Sequence, residues 1–105
     1  MLNTACRLLV LVVVVFLRSP VVVVDSLGSL QHEVEQIGDM HVVVTDNDSG
    51  DGSVEVIRSA IEAKHWDWCT LIPLTFNGGY GAGNNAGIRP YLDGEEPPDY
   101  VMLLN

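Results

Sequence analysis

Apolar residues along this chain fall into four short blocks, separated by stretches with a helical period or by polar turns. Leu8 to Phe16 is a continuous apolar run, and Val12 to Val15 is entirely β-branched, which predicts a strand covered on both faces. Arg18-Ser19-Pro20 breaks the run. Val24, Leu27, Leu30 and Val34 then recur at steps of three and four, one face of a helix, although the valines at 21 to 24 are poor helix formers at its start. Met40 to Thr45 reads as a second strand, and Asp46 to Gly52 as a polar turn. Asp51 or Ser53 is placed to cap a helix whose inner stripe is Val54, Ile57 and Ile61, with Glu55, Arg58 and Glu62 facing water. Cys69 to Leu74 predicts a third strand. Asn77 to Gly87 predicts a glycine- and asparagine-rich loop running into a short helix, which Pro90 should disturb outside the first turn. Asp93 to Pro98 is a polar linker, and Tyr100 to Leu104 a fourth strand.

Strand–helix alternation of this kind predicts an α/β fold: a Rossmann-like parallel sheet of about four strands, flanked by helices and joined by right-handed crossovers. The 105 residues suffice for one small domain. Such sheets bind ligands outside the carboxyl ends of their strands. Those ends are Leu17 to Pro20, Asp46 to Ser49, Thr75 to Gly79 and Asn105. The chain's unusual residues concentrate at these same places.

Charge narrows the partners. Fourteen acidic against five basic residues give a formal net charge of −9. That excludes nucleic acid and anionic membrane surfaces, which are bound by clustered Lys and Arg. A phosphate-bearing small ligand would need backbone N–H groups, a helix N-terminus or a divalent cation. The two cysteines, Cys6 and Cys69, have neither disulfide-framework nor C-x-x-C spacing and read as reduced thiols of a cytoplasmic protein. The apolar N-terminus is too short to span a bilayer. Its arginine and apolar run could also be a signal peptide, but no small-x-small cleavage site follows, and the β-branched content fits a buried strand better.

Two constellations carry candidate chemistry. In Asp46-Asn47-Asp48-Ser49-Gly50-Asp51-Gly52-Ser53, acidic and amide side chains crowd a strand end, where they can accept from a nucleobase N–H or ribose hydroxyls. The same residue types also make an ordinary turn and helix cap. A calcium loop does not fit, because the glycine and terminal glutamate positions of an EF-hand fall on Asp51 and Ile57. In Asn77-Gly78-Gly79-Tyr80-Gly81-Ala82-Gly83-Asn84-Asn85-Ala86-Gly87, glycine density lets backbone approach a ligand before a helix start. The alternative is a flexible surface loop. Gly81-x-Gly83-x-x-Ala86 matches a loose dinucleotide fingerprint, but follows the third strand rather than the first.

Taken together, the segments resemble family 2 glycosyltransferases, in particular the rhamnosyltransferase-like members. Val42 to Ser53 resembles their V-V-V-D-N-x-S-x-D-G-S segment, Asn77 to Ile88 their N-x-G-F/Y-x-x-G-N-N-x-G-I segment, and Asp99 to Asn105 their D-Y-V-L-L-L-N. The resemblance covers roughly Leu8 to Asn105. It implies a GT-A fold, here the N-terminal part of a domain that is incomplete at its C-terminus, and a nucleotide-diphosphate sugar as partner. It implies nucleotide-binding roles for Asp46, Asn47, Asp48, Ser49, Asn77, Gly79, Asn84 and Asn85, with the first two at the base. Asn105 would be the first position of a D-x-D-type motif holding Mg²⁺ or Mn²⁺ on the diphosphate, which answers the charge problem.

Two departures from the family pattern are visible. The first strand there ends in a polar–aromatic pair that helps hold the base, whereas Phe16-Leu17 stands here. In the family, the metal-binding Asp, the acceptor-binding half and the catalytic base follow the position of Asn105. The expectation is therefore a nucleotide-sugar-binding portion that does not catalyse transfer alone. The alternatives are a non-catalytic truncated remnant or a small dinucleotide-binding module. His32, His41 and His65 lack metal-ligand spacing and read as surface or strand-edge residues. Trp66 and Trp68 read as packing against the sheet edge, and Glu95-Glu96 as solvated linker.

Overall fold

The structure is a computed structural model that describes residues 10–16, 19–94 and 97–104. Leu8, Leu9, Cys6, Leu17, Arg18, Glu95-Glu96 and Asn105 therefore lie outside the described residues. Seven elements follow one another: β1 (Val10–Phe16), α1 (Pro20–Ile37), β2 (Met40–Asp46), α2 (Ser53–Ala63), β3 (Cys69–Pro73), α3 (Tyr80–Leu92) and β4 (Tyr100–Leu104). The strands form one sheet in the order β3-β2-β1-β4, with every pairing parallel. The predicted Rossmann-like architecture is the one observed.

Side-chain alternation divides the core into two layers. Val12, Val14, Val42 and Val44 point to the face covered by α1 and α2, where they pack with Val23, Leu27, Val34, Ile57 and Trp66. Leu11, Val13 and Val43 point to the other face, with Ile88 and Tyr91 of α3 packed over them. Strands buried on both faces need uninterrupted apolar sequence, which is why the valine runs lie in β1 and β2. The valines at the start of α1 are tolerated because Pro20 pre-sets the first turn, and Val23 enters the core with Val24 packed against it, while Val21 and Val22 are exposed. No described helix is long and apolar enough to cross a membrane.

Three expectations are corrected. The segment from Tyr80 to Gly87 is helix, not loop, and α3 runs thirteen residues. Tertiary packing outweighs its glycines, and one of them eases the fit: a Cβ on Gly87 would lie 3.2 Å from Thr45 Cγ2 and Val13 Cγ1, closer than an ordinary contact, so glycine lets α3 settle against the sheet without displacing them. Pro90 sits inside this helix, near its end, where a single missing N–H interrupts little; Asp93 N–H still closes onto the Arg89 carbonyl. Asp51 and Ser53 do not occupy the cap of α2. Gly52 does, with φ 86°, and Asp51 Oδ1 instead accepts the Ser53 N–H at 3.1 Å.

His41 also departs from the surface reading, whereas His32 and His65 are exposed. β2 is an inner strand, and the His41 ring is half-buried, with Nε2 2.8 Å from Thr70 Oγ1 and its centroid 5.4 Å from that of Tyr91. Burial holds its pKa below the ordinary 6.5. Below pH 6.5 the unfolded chain therefore takes up a proton that the folded chain resists. Its contribution to stability is complete above pH 6.5 and is lost as pH falls toward the depressed folded value. Urea denaturation at a series of pH values should show His41→Gln losing less stability than the parent chain as pH drops below 6.5. Equal slopes would mean that His41 is not the group responsible.

Candidate functional site

Parallel pairing puts the carboxyl ends of the strands, and the N-termini of the helices that follow them, along one rim of the sheet. Asp46 is the last residue of β2, paired with Phe16 of β1 and Pro73 of β3. From this point the chain supplies two arms.

The acidic arm begins with Asp46, which shares its face with Val42 and Val44 and is buried. Its Oδ1 accepts the Ser49 N–H at 3.0 Å and the Ser49 hydroxyl at 2.6 Å. This carboxylate-centred turn sends Asp48 into solvent with φ 62°. Further on, Asp51 Oδ1 accepts both the N–H and the hydroxyl of Ser53 at the start of α2. An open cleft of about 340 Å³ lies here, lined by Asp46, Asp48, Ser53, Glu55 and Leu74 with the glycines at 50 and 52.

The glycine-rich arm leaves β3 and enters α3. Asn77 is exposed, and its Oδ1 accepts the Gly79 N–H at 2.9 Å. Gly79 caps α3 with φ 95°, a conformation that favours glycine. Asn47 points to the face opposite Asp46, and its Nδ2 donates to the Gly79 carbonyl at 3.2 Å. That bond joins the two arms across thirty-two residues of sequence. Asn84 is buried beneath α3. Asn85 lies on the outer side, lining a separate hollow with Ala82, Ala86 and Arg89.

Six of the predicted residues thus gather at the β2–α3 rim: Asp46, Asn47, Asp48, Ser49, Asn77 and Gly79. Asn84 sits beneath that rim and Asn85 faces away from it. Thr45, which no sequence argument singled out, ends fully buried between β2 and α3. Its only signal was a hydroxyl in an otherwise aliphatic strand.

Electrostatically the rim combines carboxylates with the positive ends of α1, α2 and α3, each of which starts there. Among the described residues, no three His, Cys, Asp or Glu side chains assemble into a metal-binding group. In Asp46 and Asp51, Oδ1 accepts from the following serine. These residues do not by themselves fit a divalent cation. Cys69 is a free, buried thiol, which burial pushes up to about 12, so it is inert as a nucleophile or ligand.

Comparison with known proteins gives the following. The sequence profile described as Glycosyl transferase family 2 matches residues 11–104. A search of curated protein sequences returns no significant match. Among solved structures, the chain is similar to the mannosyltransferase PcManGT from Pyrobaculum calidifontis, determined in complex with GDP-Man and Mn²⁺, with a TM-score of 0.71 and 24% identity. The match covers 80% of this chain and 24% of that one.

The Asp46–Ser49 turn carries a measurable prediction. A buried hydroxyl donating to a carboxylate contributes about 1.5–3 kcal/mol. Ser49→Ala should lower the unfolding free energy from urea denaturation by that amount, with an unchanged m-value. A loss within about 0.5 kcal/mol, as at ordinary surface sites, would mean that the turn does not hold the acidic arm.

Proposed function

The chain belongs to glycosyl transferase family 2, and from that premise we propose that its rim binds the nucleoside-diphosphate portion of a sugar donor. The observation that carries this reading is the Asn47–Gly79 hydrogen bond, which unites the acidic and glycine-rich arms at the carboxyl edge of a parallel sheet. Asp46 and Asp48 line the cleft, where carboxylates can accept from base N–H and ribose hydroxyls. Asn47 has a positioning role, because its amide is committed to Gly79. The α2 and α3 N-termini supply positive potential to a diphosphate, which a chain of net charge −9 otherwise lacks.

The reaction class of the resemblance is sugar transfer to an acceptor hydroxyl, with a carboxylate base removing its proton. The chain spans about a quarter of the length of PcManGT, and transfer itself is proposed only together with an acceptor-binding half. β4 supports that requirement: it pairs with β1 alone, and Tyr100, Val101, Met102 and Leu103 are all exposed. A cation, Mg²⁺ or Mn²⁺, would be held from Asn105 onward, since no group of three potential ligands assembles among the described residues. A rhamnosyltransferase-like specificity and a cytoplasmic location belong to this proposal as well. The rival reading, a remnant that keeps the fold without the site, is favoured by the same uncovered β4.

Calorimetric titration separates the two. UDP, dTDP and GDP, each tested with Mn²⁺, should give saturable binding for at least one, and Asp46→Asn should weaken it about tenfold or more, the loss of one charge-assisted contact. No binding by any of the three would favour the remnant.

A further inference from the structure

Three side-chain oxygens are buried without a hydrogen-bond partner: Thr45 Oγ1, Asn47 Oδ1 and Asn84 Oδ1. They belong to one seam. Gly87 of α3 lies against Thr45, with Thr45 Cγ2 3.2 Å from where a Cβ would stand. Asn84 is three residues earlier, on the same helix face and one turn nearer the N-terminus. Asn47 follows the end of β2, two residues beyond Thr45, and its amide holds the Gly79 carbonyl at the helix cap. Three helical residues rise about 4.5 Å and two extended residues about 6.6 Å. Asn84 therefore comes opposite the interval between Thr45 and Asn47.

The chemistry of the seam is one-sided. Asn47 spends one Nδ2 hydrogen on the Gly79 carbonyl, while its Oδ1 and Asn84 Oδ1 are two acceptors that no protein donor reaches. The Thr45 hydroxyl has one proton, which cannot serve two carbonyl oxygens, and none of the three oxygens is bonded to another. A water molecule balances the set: its two O–H groups donate to the asparagine oxygens, and its oxygen accepts from Thr45. Buried polar atoms of this kind are where internal waters reside, and such waters typically make about three hydrogen bonds.

We propose that one buried water occupies this seam and fastens the glycine-rich arm of the site to the end of β2. Thr45 and Asn84 are then positioning residues for the start of α3. The inference does not rest on nucleotide binding, and it stands or falls in the free chain. Thr45→Val keeps the shape and removes the hydroxyl. With the water in place, the variant should melt about 4–8 °C lower, the shift produced by losing one internal hydrogen bond in a domain of this size. In the parent chain, NMR should show magnetisation transfer from a long-lived water to the Thr45 methyl and the Asn84 side-chain amide. A Thr45→Val chain that melts at or above the parent temperature overturns the proposal, because a dry, unpaired hydroxyl is better replaced by a methyl. Absence of the water cross-peaks in the parent chain overturns it independently of how the variant folds.

Discussion

Parallel pairing of β2 with both β1 and β3 constrains everything else in this molecule. A parallel ladder forces each connection to return along the sheet as a helix. It thereby brings all carboxyl strand ends, and all helix N-termini, to one rim. The valines of β1 and β2 make that arrangement affordable, because both faces of each strand can be buried without stranding polar side chains. Had β2 run antiparallel to β1, the Asp46 turn and the Gly79 cap would have emerged at opposite ends of the sheet.

On this frame the two polar arms do different jobs. The acidic arm is internally satisfied, its carboxylates fixed by Ser49 and Ser53, so its shape is set before any ligand arrives. The glycine-rich arm depends on neighbours: Asn77 and Asn47 hold Gly79, and Gly87 lets α3 settle on the sheet. The contrast gives a rigid wall facing an arm that is held by a few specific contacts. β4 is the least satisfied part of the fold, since parallel strands are ordinarily covered on both faces and here the apolar side chains of residues 100 to 103 are exposed.

Much of this was legible in the residues. Period and β-branching located the four strands and the first two helices, because each is decided by local burial. The glycine-rich segment was misjudged for a physical reason: intrinsic propensity argues against helix at positions 81, 83 and 87, whereas contact with β1 and β2 rewards it, and that contact is tertiary. The strand order, and hence the inner position of His41, is likewise a property of long-range pairing. Asn47 and Asn84 could be nominated from their motifs, but not the division of labour by which Asn47 faces away from Asp46. Trp66 was correctly placed in packing, although its Nε1–H donating to Gln31 at 3.2 Å, which satisfies the indole as α1 covers it, needed the structure.

The central claim is that residues 46–53 and 77–84 form a single nucleotide-binding rim. Amide chemical-shift mapping during titration with a nucleoside diphosphate and Mg²⁺ tests it most directly. The account predicts that the largest shifts fall together on Asp46 to Ser53 and Gly78 to Asn84, saturating at one common concentration. Shifts confined to one arm, or centred on the opposite edge around His41 and Tyr91, would contradict it.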